Sequence, residues 1–109
     1  MELLKIYRKA RELVEKGWHQ GQFAADRQGR ECSAFDDEAA CFCAWGALRR
    51  SRANLGIRLP FGPLLEPLQG VIGDVEPTAW NDAPGRTKEE VLEAFDRAIS
   101  RLEDLELAA

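Results

Sequence analysis

A compact, mainly α-helical domain with a central apolar helix, two amphipathic terminal helices and a short β-hairpin follows from three features of the chain. Apolar residues recur at helical spacing near both ends, an uncharged stretch occupies the middle, and Asp26-Arg27-Gln28-Gly29 joins two short segments as a turn. With 109 residues the chain supports one domain, spanning residues 1–109, and one core. Hydrophobic residues at 45% and charged residues at 31% are the balance of a folded domain, which excludes a disordered chain.

Over residues 2–16, Leu3, Ile6, Tyr7, Ala10, Leu13 and Val14 form one stripe of a helix. Lys5, Arg8, Lys9, Arg11, Glu12 and Glu15 occupy the other side, and Gly17 is the expected stop. Residues 18–33 read as the hairpin, with aspartate first and glycine last in its type I turn. A second helix is expected after the acidic run Asp36-Asp37-Glu38 and is expected to end in Arg49, Arg50 and Arg52, charges that suit the two ends of a helix dipole. No charge falls between Ala39 and Leu48, so this helix is placed at the middle of the fold, packed against both terminal helices. Gly46 costs about 1 kcal/mol against alanine in a helix interior. With Ala39, Cys43 and Ala47 it forms a small-residue stripe that admits a close crossing.

Glycine and proline punctuate residues 54–86. Leu64, Leu65, Leu68, Val71 and Ile72 ask for burial there, and Pro67 predicts two short helical turns instead of one helix. Thr87-Lys88-Glu89-Glu90 then has the form of a capping box. Behind it Val91, Leu92, Phe95, Ala98, Ile99 and Leu102 face away from Glu93, Asp96, Arg97 and Asp104, which marks the last amphipathic helix. Cations outnumber anions on the first helix and anions outnumber cations on the last, so the two are expected to lie together. A homodimer in which they meet across two chains is the second expectation.

A net charge of −4 is too small for a nucleic-acid mimic and has the wrong sign for a general nucleic-acid binder. Charges interrupt the first residues, Met1-Glu2-Leu3-Leu4-Lys5, so neither a secretory segment nor a membrane span is expected, and the expected compartment is the cytoplasm. Three cysteines do not suggest a disulfide framework in that setting.

Several short motifs stand in a definite order. They are Gly17-Trp18-His19-Gln20-Gly21, residues 26–30, Cys43-Ala44-Trp45-Gly46-Ala47-Leu48, Trp80-Asn81-Asp82, and the helix start from Arg86 to Val91. In this order they resemble a family of small bacterial and phage proteins known as a domain of unknown function. The resemblance implies a compact single domain of bacterial or prophage origin, and it transfers no catalytic residue.

Cys43 with His19 and either Asn81 or Asp82 would supply a thiol nucleophile, a base and an orienting group. Against that, Cys43 falls on the inner stripe of the middle helix, where a small apolar thiol packs and stays inert. Cys32, Cys41, Cys43 and His19 are residue types that suit zinc, but helical residues 41 and 43 would point about 200° apart. No metal and no cofactor are expected. His19 is expected to be a hydrogen-bonded structural residue, and Trp80-Asn81-Asp82 to form a turn whose tryptophan covers the core. If the loops bind a ligand, Trp18, Trp80 and Asn81 are the residues that would meet it. Arg49, Arg50, Arg52 and Arg58 read as a helix C-terminus and a solvated edge, without the aromatic platform that nucleic acid needs. The expected function is therefore a small non-enzymatic module that binds another protein, with a cysteine-dependent hydrolase or transferase using Cys43, His19 and Asp82 as the alternative.

Overall fold

The computed structural model describes residues 1–108 and contains five helices and a three-stranded sheet among them. The order is α1 (Glu2–Lys16), β1 (Ala24–Ala25), β2 (Glu31–Cys32), β3 (Cys41–Phe42), α2 (Ala44–Asn54), α3 (Phe61–Ile72), α4 (Pro77–Asn81) and α5 (Lys88–Ala108). The amphipathic stripe of α1 supplies much of the core, with Leu4, Ile6, Tyr7, Ala10 and Val14 all buried. Around it α5 and α2 pack on α1, and α3 packs on α5. Val91, Phe95, Ala98 and Leu102 of α5 and Leu48 of α2 close the same core.

The expected hairpin is present, with Ala24 opposite Cys32 across the turn. Asp26 holds that turn by accepting from Gln28 N at 2.9 Å and from Arg30 N at 2.9 Å. A third strand, β3, joins on the free side of β1 with Ala24 opposite Phe42, giving the antiparallel order β2-β1-β3. This strand moves the start of the middle helix from residue 39 to Ala44. The acidic run does not cap that helix, because Asp36 spends its acceptors on a turn of its own: its Oδ1 accepts from Glu38 N at 2.8 Å and its carbonyl from Ala39 N at 3.1 Å. Ala40 N then donates to Ala25 O at 2.8 Å, which draws the chain into the sheet.

Helix α2 packs mainly on α1 and α4, and the helix held against both α2 and α5 is α1. The expected close crossing at Gly46 is real, and what crosses is backbone. A Cβ there would lie 2.2 Å from Phe23 O. Gly17 stops α1 by a similar approach: its φ of −171° is extended, and a Cβ would lie 2.4 Å from Ala40 O.

Pro67 sits inside one continuous helix, α3, and does not divide it in two. The hydroxyl of Tyr7 enters the opened hydrogen-bond ladder, donating to Leu64 O at 2.7 Å and accepting from Leu68 N at 3.0 Å. Burial pushes the Tyr7 phenol far above its ordinary pKa, so it stays a neutral donor. A side chain from α1 thus satisfies the carbonyl and amide of the rung next to the one that Pro67 removes.

The capping box of α5 forms as its sequence indicates. Glu90 N donates to Thr87 Oγ1 at 3.2 Å, and Thr87 N donates to Glu90 Oε1 at 2.9 Å. The charge asymmetry of the terminal helices is resolved within one chain by Arg8 on Glu103 at 2.8 Å, Arg11 on Asp96, and the Met1 amino group on Glu106 at 3.5 Å. Such exposed pairs contribute about 0 to 1 kcal/mol each, so they orient helices that apolar contact already holds. Among the described residues no helix is long and apolar enough to cross a membrane.

Candidate functional site

The motif residues converge on one side chain, Asn81. It is the last residue of α4 and is 0% exposed. Its Oδ1 accepts from Trp18 Nε1 at 2.8 Å and from Ala44 N, the first amide of α2, at 3.0 Å. Its Nδ2 donates to His19 O at 3.0 Å and to Asp82 Oδ1 at 2.9 Å. The second motif residue on this loop, Gln20, reaches the backbone carbonyls of Asn81 at 3.0 Å and Ala83 at 3.3 Å, and Gly21 N donates to Asp82 Oδ1 at 3.0 Å. Three segments far apart in the chain are therefore tied by one carboxamide. Trp80 and Asn81 are helical and Asp82 caps that helix, so the tripeptide is not the local turn that its composition suggests. Three of the four Asn81 side-chain bonds are long-range, where a turn-forming asparagine would bond its own neighbours. Half-buried Trp80 carries the Arg86 guanidinium 4.2 Å from its ring centroid, and Arg86 Nε donates to Trp80 O at 2.9 Å.

Cys43 lies at the edge of this knot as the N-cap of α2, not at mid-helix. Its Sγ accepts from Gly46 N at 3.3 Å, doing for this helix what a hydroxyl does at an ordinary cap. A helix N-terminus can stabilise a thiolate. Here burial, with the thiol residue only 2% exposed, pushes the pKa up; the backbone bonds pull it down, and the Asp82 charge adds to the rise. The Asp82 Oδ1 is engaged by Asn81 and Gly21, and His19 Nε2 is buried with no hydrogen-bond partner. The bonds that His19 does make here are through its backbone, including N to Phe42 O at 3.1 Å. The expectation of a hydrogen-bonded imidazole is thus not met at Nε2. The three candidate catalytic residues are neighbours in the fold, but no hydrogen bond links the Cys43 thiol to the His19 ring.

The zinc reasoning changes in one respect. Cys41 is in a strand and Cys43 is a helix cap, so the helical angle between them does not apply. Among the described residues no three His, Cys, Asp or Glu side chains gather at a metal-sized site.

A second grouping lies on the outer face of α2 and was hidden in the sequence. Trp45, Arg49 and Arg52 share a helical face at spacings of four and three. The Arg49 guanidinium stands 5.4 Å from the Phe23 ring centroid, 5.4 Å from that of Phe35 and 5.1 Å from that of Phe61. Arg52 covers Phe61 from 4.8 Å, and Trp45 meets Phe61 edge-on at 5.3 Å. Phe23, Phe35 and Phe61 remain 37%, 45% and 46% exposed. Three chain segments deliver these rings: the approach to β1, the loop after β2, and the first residue of α3. No periodicity links them, and only their exposed large rings could have drawn attention. The basic cluster therefore does possess an aromatic surround, contrary to the reading of it as a bare solvated edge. Arg50 is turned elsewhere, donating to Ala34 O and Asp36 O at 2.8 Å each.

The arrangement defines a small helical domain, with a minimal sheet, whose signature residues tie the fold together around a buried asparagine. The chain belongs to the family of unknown function DUF6197, whose model matches residues 1–101. No curated protein and no solved structure matches it.

Proposed function

We propose that this protein is a non-enzymatic interaction module, an accessory protein of bacterial or phage origin, whose protein partner docks on the outer face of α2. The observation that carries this reading is the set of three exposed phenylalanines around Arg49. Arginine and aromatic residues dominate the centres of protein interfaces, because both offer large contact area and directional polar or π interactions. A monomer gains little by leaving such rings in water. The face also stands apart from the Asn81 knot, so a partner can bind there without unmaking the fold.

The test is affinity capture by the intact protein beside Phe35→Ser and Phe61→Ser, each first shown to keep the wild-type unfolding midpoint. A partner held by the wild type and lost by both variants is expected. Equal capture by all three proteins would defeat the reading. For the alternative at Cys43, alkylation supplies the measurement. The buried thiol is expected to label at neutral pH only as fast as the protein unfolds, and rapid labelling of the folded chain would favour the enzyme. Because the folded thiol has the higher pKa, its contribution to stability is complete below the ordinary thiol range and is lost as pH rises from that range through the raised folded pKa.

A further inference from the structure

The chemistry of the partner can be taken one step further, resting on the docking face just described. Arg49 carries a charge that the protein itself does not answer. Among the described residues, none of the ion pairs uses Arg49, Arg52 or Arg58. The Nε of Arg49 is buried without a hydrogen-bond partner, while three aromatic rings hold the guanidinium in place. Beside it a cleft of about 440 Å³ is lined by Phe23, Phe35 and Arg49, with Cys32, Ser33 and Glu31 on the strand side.

We propose that this cleft binds a peptide segment of a partner protein through one carboxylate, Asp or Glu, flanked by apolar side chains. A guanidinium matches a carboxylate with two parallel hydrogen bonds, and a ring-lined, partly dehydrated setting strengthens them. Cation–π contacts fix the direction of the group but satisfy none of its N–H donors, so the site is preorganised and still hungry for an acceptor. The rings on either side offer apolar surface for the neighbours of that acid. Single-stranded nucleic acid fits less well: the phenylalanines already face Arg49, leaving no free stacking ladder, and Glu31 in the cleft would repel a run of phosphates. A single carboxylate meets less of that repulsion than a polyanion does.

The test uses a random peptide library displayed on phage and selected on the intact protein, followed by fluorescence anisotropy with the best binder. Enriched peptides are expected to carry Asp or Glu beside Leu, Ile, Phe or Tyr. Exchanging that acid for its amide is expected to weaken binding at least about tenfold. Arg49→Met should cause the same loss, and should cause none beyond it when paired with the amide peptide. The amide exchange leaves the protein untouched, so it decides the matter even if Arg49→Met folds poorly. Peptides without acids, or no response to the amide exchange, would overturn the carboxylate. If Phe35→Ser and Phe61→Ser still abolished binding in that case, the docking face itself would survive. Three results would overturn the peptide proposal outright: no enriched peptide, displacement of the peptide by an oligothymidylate probe, or a face already covered by a second copy in light scattering. Indifference of the bound peptide to every substitution on the face would overturn this proposal and the docking reading together.

Discussion

The Asn81 knot and the Arg49 face treat a polar side chain in opposite ways, one buried and fully bonded, the other half-exposed with its Nε covered and unpartnered. Asn81 is buried with its oxygen and its amide both fully occupied, so its bonds fasten the loop after α1, the start of α2 and α4 to one another. Arg49 is held by rings, and among the described residues none of the ion pairs uses it. A satisfied buried network rigidifies and specifies one structure. An unsatisfied charge framed by exposed apolar surface has its natural acceptor outside the molecule. The two regions share α2: its first amide belongs to the knot, and its outer face carries the arginines.

The contrast is broken or sharpened most strongly at Asn81. Asn81→Leu would strand the Trp18 indole N–H and the Ala44 amide, at about 1 to 3 kcal/mol for each buried orphan. A total loss of about 3 to 4 kcal/mol is expected in urea unfolding, beside less than about 1 kcal/mol for Phe35→Ser on the exposed face. Equal losses at the two sites would erase the distinction between fold-closing and partner-facing residues.

Next in size is Gly46→Leu, at the junction of the two regions. Even its Cβ would meet Phe23 O, so overpacking is expected to cost about 1 to 3 kcal/mol and to displace the segment that carries the Phe23 ring. Chemical shifts of the Phe23 and Phe35 rings should move together with the unfolding midpoint. An unchanged midpoint would mean that the crossing is loose.

A smaller loss than at Asn81 or Gly46 is expected outside both regions. Thr87→Ala removes one side of a solvent-facing capping box and should cost about 1 kcal/mol, with no change at Asn81 or Arg49. A chemical-shift change in the Trp18 indole N–H would show that the two ends of the Asn81–Thr87 segment are coupled, which the contrast does not allow.

How much was legible differs between these places. The capping box, the stripes of α1 and α5, the hairpin turn at Asp26 and the ion pairs between the terminal helices could all be read directly. Each depends on residues within a few positions of one another, or on a simple excess of charge. Cys43 was legible as a buried, packed thiol but not as a cap, because β3 has two residues and shows no period. Asp36-Asp37-Glu38 looked like a helix start for the same reason: a turn and a cap draw on the same side chains. The Asn81 tripeptide stood out as a motif, yet its composition suggested a local turn. The phenylalanines of the Arg49 face gave no joint signal, since three separate segments bring them in.

The sequence by itself determined the elements whose causes are short in range: helical faces set by periodic burial, a turn set by Asp26 and Gly29, and a cap set by Thr87 and Glu90. Only the tertiary structure decided which polar groups would answer one another across the chain. Tyr7 repairs α3 beside Pro67, Asn81 closes the fold over Trp18 and Ala44, and Arg49 is left among rings, in none of the ion pairs among the described residues. The physical reason is that a buried hydrogen bond is worth forming with whatever partner packing brings within about 3 Å, and sequence distance does not enter that condition.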